Sequence, residues 1–283
     1  MKNVSLISKN IIKDILVLTE QHLHKFVEND AAAIFHLSSG GSRTRAKICV
    51  HAGIQLGLDT NDIICCASAI ELLHNASLVH DDLQDGDEVR RGQPAVWKKF
   101  GQPRAICTGD AMINAAYAAI ADIKDVHTMR AALLEMTKAV GETVQGQTMD
   151  LDKEQIIDSK QYEEIAARKS GPLFRLALSM PMILSHRFDL LDSVNYIAAK
   201  FAIAYQIHDD MGDYQSDKGS NTLNIVSLLA NQSSDEDAMF IAKNRVKYLL
   251  MMCQKELALL PNNCALEVRK VAEELIQSVE RNY

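Results

Sequence analysis

Leu78-Val79-His80-Asp81-Asp82-Leu83-Gln84-Asp85 ends a long apolar run with three carboxylates. Residues four apart lie on the same face of an α-helix, so Asp81 and Asp85 can point toward a common ligand. The same Asp-Asp-x-x-Asp pattern returns in the segment from Gln206 to Asp213, again after an apolar run. The repeated pattern predicts two helices whose carboxylates face each other across a cavity and hold hard cations.

Helical spacing of apolar residues extends over almost the whole chain. The 283 residues are 47% hydrophobic and 24% charged, which is the composition of a soluble globular protein with a large core. Alternating apolar and polar runs of the kind that form strands are missing. We therefore predict an all-α fold in which residues 1–283 form a single domain, a large helical bundle around a central cavity.

Several elements can be placed from their local signals. We expect a first helix over Val4–Val27, a charged loop over Gly86–Pro94, and a long apolar helix over Leu190–Asp213. Proline removes a backbone donor, so Gly171-Pro172 predicts a kink or a restart within a helix. Two amphipathic helices are expected between residues 235 and 281, on either side of a proline.

Charge and cysteine content exclude some functions. A net charge of -7 argues against nucleic acid as the main partner. The six cysteines form no Cys-x-x-Cys pair and fit a reduced compartment. The first 20 residues contain charges that interrupt any signal-peptide core, and no uncharged apolar run reaches membrane-spanning length. We expect a cytoplasmic protein with no transmembrane segment.

Carboxylates at the C-terminal end of a helix need compensation. The helix dipole already places partial negative charge there, and neighbouring aspartates repel each other. Oxygen ligands without soft partners favour Mg²⁺, which binds through one or two carboxylates together with a substrate's phosphates. A single cluster is often only a solvated helix end, but two clusters on the most apolar helices favour metal binding.

Basic residues at helix ends and loops could complete a phosphate site. Each of them alone is more often a surface charge, whereas their joint occurrence with two aspartate clusters indicates anion binding. Helix N-termini also present backbone N–H groups to anions. The candidates are Arg90 and Arg91 after the first cluster, Arg43 and Arg45 after Gly40-Gly41, and Lys169 beside Ser170.

Four blocks in order resemble the trans-type polyprenyl diphosphate synthases, the family of farnesyl and geranylgeranyl diphosphate synthases. LVHDDLQDGDEVRRG (78–92) is similar to the first aspartate-rich motif, and AYQIHDDMGD (204–213) is similar to the second. QGQTMDL (145–151) and RKSGPLF (168–174) resemble two further blocks. The resemblance runs from residue 40 to about residue 229.

The resemblance implies the all-α isoprenoid-synthase fold, about three Mg²⁺ per active site, and a homodimer. Its metal ligands would be Asp81, Asp85 and Asp209, with Asp82, Asp210, Asp213 and Lys169 as further catalytic residues. The allylic diphosphate would be held by Arg90, Lys169, Ser170 (where the family usually has Thr) and Gln206, with Gln147 and Asp150 close by. Isopentenyl diphosphate would be bound by Arg45, His74 and Arg91. From their positions just before the clusters, independently of the resemblance, we expect His80 and His208 to orient or pack rather than to bind metal.

The sequence departs from the family pattern at two places. Ser42 occupies the position of a lysine that normally contacts isopentenyl diphosphate, so this contact is lost unless Arg43 or Lys47 replaces it. A charge-assisted contact of this kind is worth about 1.5–3 kcal/mol. The loop over residues 214–224 is short, and only Lys218 remains to cover the diphosphate.

Product length depends on residues one turn before the first cluster. Ala76 and Ser77 are small, and the resemblance implies that small residues here allow products of C20 or longer. Met112 or Tyr117 could close the cavity instead.

The predicted activity is Mg²⁺-dependent condensation of an allylic diphosphate with isopentenyl diphosphate. Two alternatives remain open: a terpene-synthase-like enzyme that needs no isopentenyl diphosphate, and a non-catalytic subunit of a heteromeric synthase. A metal phosphohydrolase using His80-Asp81 is disfavoured, because it would need several histidine ligands on one metal.

Overall fold

The structure is a computed structural model that describes residues 2–152, 158–218 and 223–282, with side chains from residue 10 onward. The helices are α1 Lys2–Phe26, α2 Ala31–Ser38, α3 Thr44–Gln55, α4 Thr60–Asp85, α5 Val96–Phe100, α6 Gln102–Ala121, α7 Val126–Leu151, α8 Ser159–Leu184, α9 Leu191–Asp217, α10 Ile225–Ala230, α11 Asp235–Leu257 and α12 Leu266–Asn282. Two short strands, β1 Val89–Arg90 and β2 Gln93–Pro94, form an antiparallel pair.

Helix α4 carries the first aspartate cluster at its C-terminus. Asp59 caps its first turn, because its carboxylate accepts from the backbone N–H of Asn61 at 2.9 Å. At the other end Gly86 adopts a left-handed conformation (φ 76°) that stops the helix directly after Asp85. The apolar residues between these ends are almost all buried, so the helix is fixed on several sides.

Helices α4 and α6 pack against each other in opposite directions. His80, near the end of α4, lies 3.3 Å from the carbonyl oxygen of Ile106, near the start of α6. At the other ends, His22 of α1 bridges Ser68 of α4 (3.0 Å) and Asp122 just after α6 (3.6 Å). These contacts at the two ends of the helices show that the start of α6 lies beside the end of α4.

The predicted loop between Gly86 and Pro94 contains the β1–β2 hairpin, so the expectation of a plain loop was wrong. Arg91 and Gly92 connect the strands, with φ values of 53° and 74°. Two consecutive residues with positive φ are the pattern of a two-residue hairpin turn. Arg90 is the last residue of β1 and Arg91 the first residue of the turn, and their side chains take different partners, Asp82 and the carbonyl oxygen of Gly40.

The predicted restart at Gly171-Pro172 does not occur, because α8 continues through both residues. A proline within a helix costs roughly 3 kcal/mol. The following turns bury large apolar side chains, among them Leu173, Phe174 and Leu176, and each contributes about 1.5–3 kcal/mol. Burial therefore outweighs the lost hydrogen bond.

Helix α9 extends beyond its predicted end at Asp213 to Asp217. The second aspartate cluster therefore lies a turn inside its helix, whereas the first ends its helix. The two C-terminal helices, α11 and α12, are present on either side of Pro261 as predicted. The first helix also agrees with its prediction to within two residues.

Residue contacts divide the chain into two compact units. The first comprises Met1–Glu135 and Met180–Arg187, and the second comprises Met136–Ser179 and Phe188–Tyr283. The assignment of the whole chain to a single domain remains a prediction.

In the described part of the chain one helix, α4, has the length and apolar composition to cross a membrane, but 72% of its apolar window is buried, as in the core helix of a soluble protein.

Candidate functional site

One face of α4 presents two accessible carboxylates. Asp81 is half-buried and Asp85 is exposed, and Ser77 and His74 lie on the same face in the preceding turns. The hydroxyl of Ser77 donates to the carbonyl oxygen of His74 at 2.8 Å. The side chain of Asp82 lies on a different face of α4 from Asp81 and Asp85 and is fully buried.

Arg90 pairs with Asp82. The Nε of Arg90 donates to Oδ1 of Asp82 at 2.7 Å, and a second guanidinium nitrogen contacts the same oxygen. Burial raises the pKa of Asp82, and the hydrogen bond from Arg90 opposes that rise. The other oxygen of Asp82, Oδ2, is buried and has no hydrogen-bond partner among the described residues. Arg90 thus neutralises the buried carboxylate.

Arg91 contacts the glycine loop before α3. Its guanidinium donates to the carbonyl oxygen of Gly40. A Cβ on Gly41 would lie 2.7 Å from the guanidinium carbon of Arg91, so a side chain there would displace this end of the arginine. Burial, followed by the charge of Arg43, lowers the pKa of Arg91. Arg91 also has a left-handed backbone (φ 53°). This conformation costs a non-glycine residue about 1–3 kcal/mol, and such strain is common at functional sites.

His74 belongs to a cationic neighbourhood in the first unit. Nη1 of Arg45 donates to Nε2 of His74 at 3.2 Å. Burial and then the charges of Arg45 and Arg91 hold the pKa of His74 well below its usual value, so its ring is neutral. Neutral imidazole beside two guanidinium groups favours an anion. The three residues predicted to bind isopentenyl diphosphate are therefore brought together.

The guanidinium group of Arg43 contacts two carboxylates, those of Glu20 and Glu71. It is the N-cap of α3, in a left-handed conformation (φ 51°), and donates through Nη2 to Glu20 at 3.1 Å. Glu71 lies 3.8 Å from its Nη1. Ser42 is exposed, and its hydroxyl lies 2.8 Å from that of Thr44. Arg43 is thus held away from the role of the missing lysine, and Lys47 is exposed.

Glu71 was missed by the sequence analysis. It is 2% exposed and accepts from the backbone N–H of Ala46 at 3.0 Å, which fixes the start of α3. Burial raises its pKa, and the N–H of Ala46 and the charge of Arg43 oppose this. The available signal was a glutamate inside the apolar run of α4.

Asp210 is a buried centre of hydrogen bonds in the second unit. Its Oδ1 accepts from Nε2 of Gln206 at 2.9 Å, and its Oδ2 accepts from the hydroxyl of Tyr162 and the N–H of Ile225, both at 2.8 Å. The side chain of Asn224 also donates to its backbone oxygen at 2.8 Å. Burial raises its pKa to about 6, against those donors. Asp210 therefore organises three segments around the second cluster.

Asp209 and Asp213 are the accessible members of this cluster. Asp209 is half-buried and Asp213 is exposed. Burial, followed by the charges of Asp217 and Asp209, raises the pKa of Asp213. A cation is the simplest means of relieving this repulsion.

Lys169 is held by the helix that precedes it in the chain. Its Nζ donates to Asp150 at 2.7 Å, and both side chains are largely buried. A Cβ on Gly146 would lie 2.3 Å from the backbone nitrogen of Lys169, so this glycine lets α7 and α8 touch. Asp150 lies one helical turn after Gly146, which brings its carboxylate next to the ammonium group of Lys169. Gln147 and Ser170 are half-buried next to these residues in sequence.

Lys218 contacts Asp235 at 2.6 Å on the surface, and this hydrogen bond raises the pKa of Lys218. Its contact with a diphosphate would require that pair to open. The rest of the short loop includes residues 219–222, which lie outside the described residues.

Aromatic side chains missed by the sequence analysis lie between α8 and α9. Phe174 packs edge-on against Phe201, with ring centroids 4.9 Å apart, and Tyr205 lies 5.7 Å from Phe174. Tyr205 precedes Asp209 by one helical turn, so this cluster provides an apolar wall behind the second aspartates.

The two residues proposed to control product length differ in position. Ala76 precedes His80 by four residues and is buried on the face of α4 that packs on α6. Ser77 shares the face of Asp81. Met112 of α6 is fully buried, and Tyr117 is half-buried.

The donor set fits Mg²⁺. No cluster of three or more histidine, cysteine, aspartate or glutamate side chains forms a closed cage in the described part of the chain. Each aspartate cluster offers two accessible carboxylates, and Mg²⁺ completes its shell with phosphate oxygens and water. Cations shared with a diphosphate therefore suit these residues better than a metal bound by protein alone.

Comparison with known proteins gives the family. The family model described as polyprenyl synthetase matches residues 28–224. The chain belongs to the polyprenyl synthetase family. The resemblance drawn from the four sequence blocks is thereby confirmed.

Named relatives fit this family. A short chain isoprenyl diphosphate synthase of Methanocaldococcus jannaschii is 29% identical over 221 residues, 76% of this chain and 66% of that protein. A geranylgeranyl pyrophosphate synthase of Geoglobus acetivorans is 32% identical over 214 residues, 72% of this chain and 67% of that protein. The matches thus span about two thirds of these relatives' lengths.

A solved structure confirms the fold. The geranylgeranyl pyrophosphate synthetase from the archaeon Geoglobus acetivorans matches with a TM-score of 0.83 at 25% identity, over 94% of this chain and 99% of that one. The all-α isoprenoid-synthase fold predicted from the sequence is correct.

Proposed function

We propose that this member of the polyprenyl synthetase family is a Mg²⁺-dependent trans-prenyltransferase. It condenses an allylic diphosphate with isopentenyl diphosphate and favours products of C20 or longer. The observation that carries the proposal is the contact of Arg45 with His74, which places a cationic group on α4 apart from its aspartates. His74, with Arg45 beside it, precedes Asp81 by seven residues on one helix face, about 10 Å along the axis. Two separate anion sites suit two diphosphate substrates.

The aspartates of the two clusters would bind the allylic diphosphate through Mg²⁺. Mg²⁺ held by Asp81, Asp85 and Asp209 would stabilise the negative charge that develops on the departing diphosphate. Lys169, Gln206 and Arg90 would bind the same group, with Ser170, Gln147, Asp150 and Lys218 nearby. Asp82, Asp210 and Asp213 would support the cluster, since two of them are buried and hydrogen-bonded.

The isopentenyl diphosphate would occupy the cationic pocket. Arg45 and Arg91 would bind its diphosphate, and His74 would hold Arg45 in place through the 3.2 Å contact. Ser42 and Arg43 would contribute little. The aromatic wall at Phe174, Phe201 and Tyr205 would exclude water from the allylic cation until the isopentenyl double bond attacks it.

The chain would work in the cytoplasm as a homodimer. Large apolar side chains are exposed on α6 and α7, including Ile106, Leu134 and Val144. None of the six cysteines forms a disulfide in the structure, which suits a reducing compartment. Sedimentation velocity would measure the mass, and a monomer at micromolar concentration would contradict the dimer.

A product assay tests the activity. The protein would be incubated with Mg²⁺ and dimethylallyl, geranyl or farnesyl diphosphate, with and without labelled isopentenyl diphosphate. Label in a longer prenyl diphosphate is expected, and its loss is expected in the Asp81→Asn and Asp209→Asn variants. Hydrocarbon or alcohol products without label would overturn the proposal in favour of a terpene synthase. No reaction of any primer would favour a non-catalytic subunit.

A further inference from the structure

Four polar side chains connect the C-terminal helix α12 to the second aspartate cluster. Nε2 of His208 lies 2.9 Å from the hydroxyl oxygen of Ser278 on α12. Nδ1 of the same ring lies 3.5 Å from Oδ1 of Asp209. On the far side, Nδ2 of Asn282 donates to the Ser278 oxygen at 3.4 Å. All four residues belong to the second unit.

The chemistry of these groups fixes the direction of the hydrogen bonds. An ionised Asp209 can only accept, so Nδ1 of His208 must carry the proton for an attractive contact. In a neutral ring Nε2 is then an acceptor, and the hydroxyl of Ser278 must donate to it. Asn282 donates to the Ser278 oxygen, which leaves the serine proton for His208. The chain of donors therefore runs from Asn282 through Ser278 and His208 to Asp209.

We infer that Ser278 and His208 are positioning residues that orient the Asp209 carboxylate for its cation. Ser278 holds His208 in the Nδ1–H tautomer, and His208 holds Oδ1 of Asp209. The carboxylate is thereby fixed in rotation and its remaining lone pairs stay directed outward. Hydrogen-bonded partners of metal ligands set ligand orientation and commonly change metal affinity 10–100-fold.

This role rests on the proposed function, because it treats Asp209 as a cation ligand. It extends that function by assigning α12, which lies outside the part of the chain matched by the family model, a part in metal binding. The 3.5 Å distance between His208 and Asp209 is at the limit of a hydrogen bond, so Ser278 supplies the stronger anchor.

The tautomer of His208 can be measured without metal or substrate. Protein labelled with ¹⁵N-histidine would be studied at pH 8 by long-range ¹H–¹⁵N correlation, and His208 would be assigned from its absence in His208→Gln. We expect the Nδ1–H tautomer in the unaltered protein and in Ser278→Thr, and loss of its predominance in Ser278→Ala. An Nε2–H ring in the unaltered protein would overturn the inference.

Cation binding gives a second readout. The melting temperature would be followed against Mg²⁺ in the presence of inorganic diphosphate. Ser278→Ala should raise the Mg²⁺ concentration at half-effect about tenfold, and Ser278→Thr should restore it. The control is Glu280→Gln, which removes the Lys247–Glu280 pair (2.8 Å) that also ties α12 down. Equal effects of Ser278→Ala and Glu280→Gln would reduce Ser278 to a helix anchor and overturn the inference.

These measurements separate the two proposals. If the unaltered protein extends no allylic primer, the proposed condensation fails. The tautomer and the Mg²⁺ response of the serine variants would still decide whether Ser278 acts through His208.

Discussion

Ser42 and Arg43 show how one residue's partners decide a substrate contact. Arg43 immediately follows the serine and could have replaced the missing lysine. Its left-handed backbone and its contacts with Glu20 and Glu71 direct it away instead. The positive charge next to His74 therefore comes chiefly from Arg45 and Arg91.

Ser42→Lys should improve the use of isopentenyl diphosphate. A charge-assisted phosphate contact of about 1.5–3 kcal/mol corresponds to a fall in the KM for isopentenyl diphosphate of about tenfold or more. The KM for the allylic substrate should stay unchanged. Steady-state kinetics with each substrate varied in turn would measure both.

The control adds the same charge nearby. Ser38 is exposed at the end of α2, so Ser38→Lys changes the net charge equally at a neighbouring surface position. If Ser38→Lys lowers the KM as much as Ser42→Lys, the effect is general attraction and not a restored contact.

At the scale of elements, the contact between α7 and α8 positions Lys169. Gly146 brings the two backbones together, and Asp150 one turn later reaches the lysine ammonium at 2.7 Å. The contact explains why a glycine occurs within a helix, where it usually costs about 1 kcal/mol relative to alanine.

Gly146→Ala should damage both stability and substrate binding. The new methyl group would meet backbone atoms, so the helices must separate at a cost of roughly 1–3 kcal/mol in the free energy of unfolding. Lys169 would move with α8, and the KM for the allylic diphosphate should rise. Denaturant unfolding and kinetics would measure the two effects.

Gly141 on the same helix is the matched control. A Cβ there meets nothing within 4 Å, so Gly141→Ala should raise the free energy of unfolding by up to about 1 kcal/mol. Destabilisation by both substitutions alike would contradict the role given to the close approach at Gly146.

The same elements show what the sequence could predict. Helical periodicity placed most helices, and the duplicated aspartates placed α4 and α9. Pro172 suggested a restart that does not occur. A proline reports only on the local backbone, whereas the burial that stabilises α8 comes from residues distant in the sequence. Tyr162 and Glu71 were missed for the same reason: an ordinary tyrosine and a single glutamate acquire meaning only from Asp210 and the start of α3.

At the scale of the whole molecule, the free energy of unfolding should depend on pH through two buried groups, His36 and Asp210, whose contributions have opposite signs. Burial, followed by the charge of Arg91, lowers the pKa of His36 to about 4. The unfolded chain therefore binds more protons than the folded one between about pH 6.5 and 4, and stability falls as pH falls. Asp210, with its pKa raised to about 6, acts in the other direction, since the folded state there holds the extra proton.

Replacing His36 isolates its contribution. Between pH 7 and pH 5 the unaltered protein should lose about 2 kcal/mol more unfolding free energy than His36→Gln. The glutamine amide can still donate to Asn75, which lies 3.2 Å from Nε2 of His36. Asp210 is common to both proteins and cancels. Identical pH profiles from chemical denaturation would show that His36 does not fold in its neutral form.

The condensation itself is tested most directly by stoichiometry. Allylic diphosphate and labelled isopentenyl diphosphate would be mixed with the Mg²⁺-loaded protein, and released inorganic diphosphate and incorporated label would be counted in the same samples. The proposed condensation predicts one isopentenyl unit incorporated for each diphosphate released, with no release when isopentenyl diphosphate is omitted. Diphosphate release that continues without isopentenyl diphosphate and without label in the product would contradict a condensing prenyltransferase.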